Sequence, residues 1–127
     1  MGTDDLLALA GRLLLSGIFL ASAFGKITNF EGTAAYMEAH GLPWALLFCA
    51  AAAAIEALGG ISLLLGFQAR WGCASLAVFL VAATVVFHHG PDQRIHLLKN
   101  LAILGGLFQV MAFGPGAMSL EGRRRSV

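Results

Sequence analysis

Charge is what this sequence has least of. Its 127 residues are 58% hydrophobic and 12% charged, against about 25% charged in soluble domains, so no water-soluble catalytic module fits within it. Cysteine is scarce too. Cys49 and Cys73 do not form a CxxC pair, which removes thioredoxin-like and zinc-ribbon readings. Their expected depths in a bilayer differ by roughly 20 Å at 1.5 Å per residue, which also excludes a disulfide between them. No zinc-site spacing is present: adjacent His88 and His89 point their rings apart on a helix, and no cysteine or carboxylate completes a coordination sphere around them. No haem, flavin or iron-sulfur motif occurs, and the histidines crowd one end of the chain's expected spans, which argues against stacked haems. The formal net charge is +1, and the only basic cluster is Arg123, Arg124 and Arg125, so nucleic acid is not an expected partner. There is no fixed-period repeat and no low-complexity tail.

What the chain has instead is four apolar runs, residues 6–25, 42–67, 71–87 and 95–113. Each falls near the roughly 17 to 25 residues that cross a bilayer as a helix. Two of the three connections are short, Gly66 to Arg70 and His88 to Arg94, and short connections make antiparallel neighbours. The expected fold is all-α: a single membrane domain over residues 1–127, a four-helix bundle running up-down-up-down. The longer piece between the first two spans carries Phe30, Ala34, Met37 and Gly41 at helical spacing, which predicts a short amphipathic helix lying at the outer interface as a lid or brace. The acidic leader Asp4-Asp5 and Arg12 within the first run oppose a cleaved signal peptide, so that run is expected to stay as a span. Arg12, Arg70 and the tail arginines fall on one side and Lys26, Arg94 and Lys99 on the other. The positive-inside rule then places both termini in the cytoplasm of a bacterial inner (plasma) membrane protein.

Function has to be sought in the few ionisable residues inside the runs, because a charge at mid-membrane costs about 2.5 to 3.5 kcal/mol on insertion scales. On the first span Arg12, Ser16, Phe19, Ala23 and Lys26 share a face, and on the fourth His96 and Lys99 do. Small-residue ladders, Gly17, Ala21 and Gly25 on the first span and Ala52, Glu56 and Gly60 on the second, predict close helix packing. Counted from the cytoplasmic edge, Arg12 lies roughly 9 Å deep and Glu56 roughly 15 Å, whereas Lys99 lies roughly 6 Å from the outer edge of an about 30 Å core. Arg12 is therefore the expected partner of Glu56, with Lys99 as the alternative. The pair reads either as a neutralised register-setting contact or as a proton-relaying carboxylate whose pKa the arginine tunes. At the outer end Lys26, His88, Lys99 and Asn100 form a candidate ligand-binding cluster, able to donate hydrogen bonds to a carbonyl or anionic oxygen; headgroup contacts are the simpler alternative for its histidines.

Arg12 in the first run, Gly25-Lys26 at its end, Gly41-Leu42-Pro43, Glu56-Ala57-Leu58-Gly59-Gly60, Phe87-His88, Lys99-Asn100-Leu101 and Gly114-Pro115-Gly116 with Ser119-Leu120 follow one another in an order that resembles the DoxX family of small four-helix membrane proteins. Glu121 stands where that family often has Asp. The resemblance covers nearly the whole chain and implies a redox-associated membrane subunit of the thiosulfate:quinone oxidoreductase type, with a quinone-like or other lipophilic ligand in the helix seam. It also implies partners: the lipid bilayer, another membrane or redox subunit, or further copies in an oligomer. The alternative it leaves is a non-catalytic scaffold or assembly factor. A quinone needs no covalent ligand, only an apolar slot with a few hydrogen-bonding groups.

Overall fold

The computed structural model describes residues 2–87 and 94–120. Among them are five helices: α1 (Thr3–Thr28), α2 (Phe30–Ala39), α3 (Ala45–Leu65), α4 (Ala69–Phe87) and α5 (Arg94–Phe113), with no strand. Four, all but α2, are long and apolar enough to cross a membrane. The protein is thus an all-helical membrane bundle with a short helix after the first span, as its sequence predicts.

Local chemistry sets the helix ends. Asp4 and Asp5 sit in the first turn of α1, where carboxylates meet the positive end of the helix dipole, and Asp5 accepts a hydrogen bond from the Gly2 N–H. At Asn29 the backbone leaves helical geometry and restarts as α2. After α2, Gly41 takes φ +87, and the Gly41 and Leu42 N–H groups return to the carbonyls of Glu38 and Met37, satisfying the last turn. Gly66 closes α3 at φ +70. The turn that follows is held by Ser62, whose Oγ lies 2.6 Å from Phe67 O and 3.1 Å from Gln68 O.

Helix α3 is the axis of the molecule, packed against α1, α2 and α4, while α5 leans mainly on α4 and meets α1 over a much smaller contact. Its small residues allow the approach: a Cβ at Gly60 would sit 2.8 Å from the Leu20 side chain of α1, and one at Gly59 would sit 2.6 Å from Leu76 of α4. The predicted ladder on α3 therefore packs inward. The one on α1 does not. Nothing lies within 4 Å of a Cβ built at Gly17 or Gly25, and Ala21 is exposed, because the buried stripe of α1 is Arg12, Ser16, Phe19 and Ala23 and the small residues fall on the opposite face.

Two apolar clusters fill the bundle. One joins Phe19, Leu63, Cys73, Leu76, Leu80 and Leu107 across α1, α3, α4 and α5. The other seats α2 on α3 through Ala34, Met37, Ala45 and Cys49, with Phe30 and Leu42 against it, which is the face the helical spacing of Phe30, Ala34 and Met37 predicts. The cysteines are free, buried, and in separate clusters.

Candidate functional site

Glu56 is 3% exposed on α3, and its partner is Lys26 of α1: Nζ lies 2.6 Å from Oε1. The contact is an ion pair, and no hydrogen bond to that oxygen is formed among the described residues. The expected Arg12–Glu56 pair is not formed, nor is the alternative with Lys99. Arg12, 3% exposed, instead donates from Nη1 to Pro115 O at 2.7 Å and from Nη2 to Met118 O at 2.9 Å.

The axial offset between α1 and α3 keeps Arg12 away from Glu56. A Cβ at Gly66 would lie 3.1 Å from Arg12 Nη1, so Arg12 stands level with the very end of α3. Residues 3–11 of α1 then run on beyond α3, roughly 13 Å at 1.5 Å per residue. Counting depth from the first apolar residue placed Arg12 too deep. The segment after α5 folds around this overhang: Gly116 packs on Ala8, and Ser119 packs on Gly66. A guanidinium can be buried there without a carboxylate because two carbonyls accept from it and the C-terminus of α3, the negative end of a helix dipole, is beside it. Its Nε finds no partner among the described residues.

Lys26 is differently placed. Its ammonium lies beside the carboxylate of Glu56, 2.8 Å from Ser22 Oγ, to which it donates, and 6.0 Å from the centre of the Phe79 ring. These groups line a half-open cavity of about 320 Å³ toward the α2 end of the bundle. Asn100 enters it from α5, its Nδ2 donating to Thr84 Oγ1 at 2.9 Å, and Thr84 in turn donates to Leu80 O at 2.7 Å. Ile18, Phe79, Leu80 and Ile103 supply apolar walls, and Thr33, Tyr36 and Met37 of α2 form part of the enclosure. The helix expected to act as a lid does contribute to the cavity wall.

Of the expected ligand-binding residues, the cavity unites Lys26 and Asn100 and adds Glu56, which sequence reasoning had assigned to a separate pair. Lys99 is exposed on α5 and does not line it; His88 lies outside the described residues. Ser22, Thr84 and Phe79 were missed as site residues. Ser22 carried a detectable signal, since it stands four residues before Lys26 and therefore on the same helix face. Among the described residues no group of His, Cys, Asp and Glu is arranged to hold a metal ion.

The DoxX family profile matches residues 7–89, from the first span through the third. This chain belongs to the DoxX family. Two relatives from Escherichia coli (strain K12) align across nearly the full length. The inner membrane protein YqjF is 34% identical over 121 residues, covering 93% of this chain and 92% of the relative. The inner membrane protein YphA is 31% identical over 126 residues, covering 92% and 89%. No solved structure matches the chain. The DoxX match includes Lys26, Glu56, Ser22, Phe79 and Thr84 and stops before Asn100, so four of the five helices that build the cavity fall within or largely within it.

Proposed function

We propose that this DoxX protein is a ligand-binding subunit of a membrane redox system, holding the polar head of a quinone-like molecule in the cavity beneath α2. The observation that carries the reading is the composition of that cavity: apolar walls around a buried ammonium-carboxylate pair and an amide. Lipophilic ligands select such sites, in which a few polar groups orient an otherwise apolar molecule. Glu56 is the proton relay. Lys26, rather than Arg12, is the cation beside it, and the carboxylate is placed to receive a proton from a ligand hydroxyl. Asn100 and Lys26 hold the head's oxygens. Ile18 lines the cavity while 50% exposed, and the α1–α5 contact is slight, which supports access from the lipid between those two helices.

The two relatives are named as inner membrane proteins, and we place this chain in the same membrane. Arg70 and the tail arginines favour cytoplasmic termini; the cavity then opens in the outer half.

The test is extraction and mass spectrometry of lipids from gently purified protein, with titration of a decyl-chain quinone analogue. A stoichiometric lipophile and saturable binding are the expected results. Ala83, which lines the cavity, provides the control: Ala83→Phe should abolish binding by filling the space. Absence of saturable binding to the wild type rejects the quinone-like class.

A scaffold or assembly role is the second reading, favoured by one observation. Gly17, Ala21 and Gly25 face outward from α1, and small residues at four-residue spacing permit close docking of another membrane helix. Capture of a stoichiometric membrane partner that is lost on Gly17→Leu, with no extractable ligand, would establish it instead.

A further inference from the structure

The cavity contains two charges that cancel. Lys26 Nζ and Glu56 Oε1 are 2.6 Å apart, with the carboxylate 3% exposed and the ammonium side chain 16% exposed, so the lysine is the member turned toward the open volume. An ammonium has three N–H donors. One is directed to Ser22 Oγ; the contact with Glu56 is an ion pair without hydrogen-bond geometry, so donor capacity remains for an incoming oxygen. On the α5 side Asn100 donates to Thr84 Oγ1, and its amide oxygen is left as an acceptor. A ligand head lying between α1 and α5 thus meets a donor on one side and an acceptor on the other, in a site without net charge.

Resting on the ligand-binding reading above, we propose that the Lys26–Glu56 pair is the charge filter of the cavity: it admits an uncharged head bearing both a hydrogen-bond acceptor and a donor, and rejects carboxylate and ammonium amphiphiles. The physical reason is electrostatic. A third charge brought beside a balanced pair is left without a counterion, and charges out of water are poorly screened. Specificity arises from the repulsive element as much as from the attractive one. Glu56 already occupies the place a ligand carboxylate would take on Lys26, and Lys26 occupies the place a ligand ammonium would take on Glu56.

The experiment uses three probes with one chain and different heads: dodecanamide, dodecanoate and dodecylammonium, radiolabelled and measured on the full chain in phosphatidylcholine nanodiscs. The wild type should bind the amide at least about tenfold more tightly than either ion, the scale of a weakly screened charge in a partly buried site. Glu56→Gln frees Lys26, so dodecanoate should gain about tenfold or more and overtake the amide. Lys26→Met should do the same for dodecylammonium. Glu56→Asp, which draws the carboxylate back by one methylene, should shift the dodecanoate ratio in the same direction by a smaller factor and serves if the Gln variant does not fold. Equal wild-type binding of amide and ions overturns the filter, as does an unchanged ratio in folded Glu56→Gln or Glu56→Asp protein. If the wild type binds the quinone analogue but shows no head-charge preference, the filter falls and the binding reading stands; if it binds neither the analogue nor the amide, both fall.

Discussion

Two cations on one face of α1, fourteen residues apart in the sequence, are buried by different means. Arg12 stands where the bundle closes, with its guanidinium answered by the carbonyls of Pro115 and Met118 and by the end of α3. Lys26 stands where the bundle opens, answered by a carboxylate beside a cavity. A planar guanidinium with five donors can join several carbonyls at once and stitch the C-terminal segment to α1. A flexible ammonium has three donors, and the one hydrogen bond it makes among the described residues is to Ser22 Oγ. The same face of α1 thus carries a fastener at one end and, on the proposed function, a recognition group at the other.

The contrast is tested first where the largest effect is expected, at the Lys26–Glu56 pair. Glu56→Gln should lower stability by about 3 to 5 kcal/mol, because breaking a buried pair leaves one charge unanswered. Combining it with Lys26→Met should restore most of that loss, since neither charge then remains. Thermal unfolding of the two single variants and the double variant in one detergent measures the coupling; additive losses would mean that the 2.6 Å contact carries no energy.

Arg12→Met comes next. It removes two hydrogen bonds from a charged donor, each worth about 1.5 to 3 kcal/mol, and should release the C-terminal segment to protease while leaving binding of the quinone analogue unchanged. Arg12 and Glu56 share no partner, so their double variant should be additive within about 0.5 kcal/mol. Strong coupling between them would restore the pairing that depth counting predicts.

A smaller effect separates the two faces decorated with glycine. Gly59→Ala places a Cβ 2.6 Å from Leu76 and should cost about 1 to 3 kcal/mol by overpacking. Gly17→Ala meets open space and should be within about 0.5 kcal/mol of the wild type. If Gly17→Ala proves as damaging as Gly59→Ala, the outward face of α1 is covered by another helix in the purified protein.

How far the sequence revealed this arrangement depends on what kind of information each feature needs. The four spans and α2 were legible because length, apolarity and helical spacing are properties of a single segment. So was the buried face of α1, since Arg12, Ser16, Phe19, Ala23 and Lys26 repeat at the helical period. The partner of Glu56 was not, because it depends on the axial offset between α1 and α3, which is set by packing between Leu20 and Gly60 and by the overhang of residues 3–11. The small residues on α1 lie opposite its buried stripe, so the same period assigns them to the outward face. Lys99 and Asn100 are adjacent, and neighbours on a helix point about 100° apart; only Asn100 turns to the cavity, while Lys99 shares its outward face with His96. Composition cannot distinguish those two directions.

Asn100 gives the smallest expected stability effect and the clearest division between fastening and recognition. Among the described residues its hydrogen bond to another helix is the 2.9 Å bond to Thr84 Oγ1, and a bond between two uncharged groups contributes only about 0.5 to 1.5 kcal/mol net. Thr84 keeps its own bond to Leu80 O when the amide is gone, so Asn100→Leu leaves no hydroxyl proton without an acceptor. The variant should therefore fold with a loss near the low end of that range. Binding should respond more strongly, because the lost amide faces the cavity and its replacement both removes an acceptor and intrudes on the volume beside Ile103. Titration of the quinone analogue against wild type and Asn100→Leu, with unfolding recorded on the same samples, should show weakened affinity at nearly unchanged stability. Thr84→Val separates the effects further: it removes the partner but not the amide, so it should loosen Asn100 and weaken binding less than Asn100→Leu does. The reverse order, with stability falling in both variants and affinity in neither, would make Asn100 a fastener like Arg12 and leave the cavity without a recognition residue on α5.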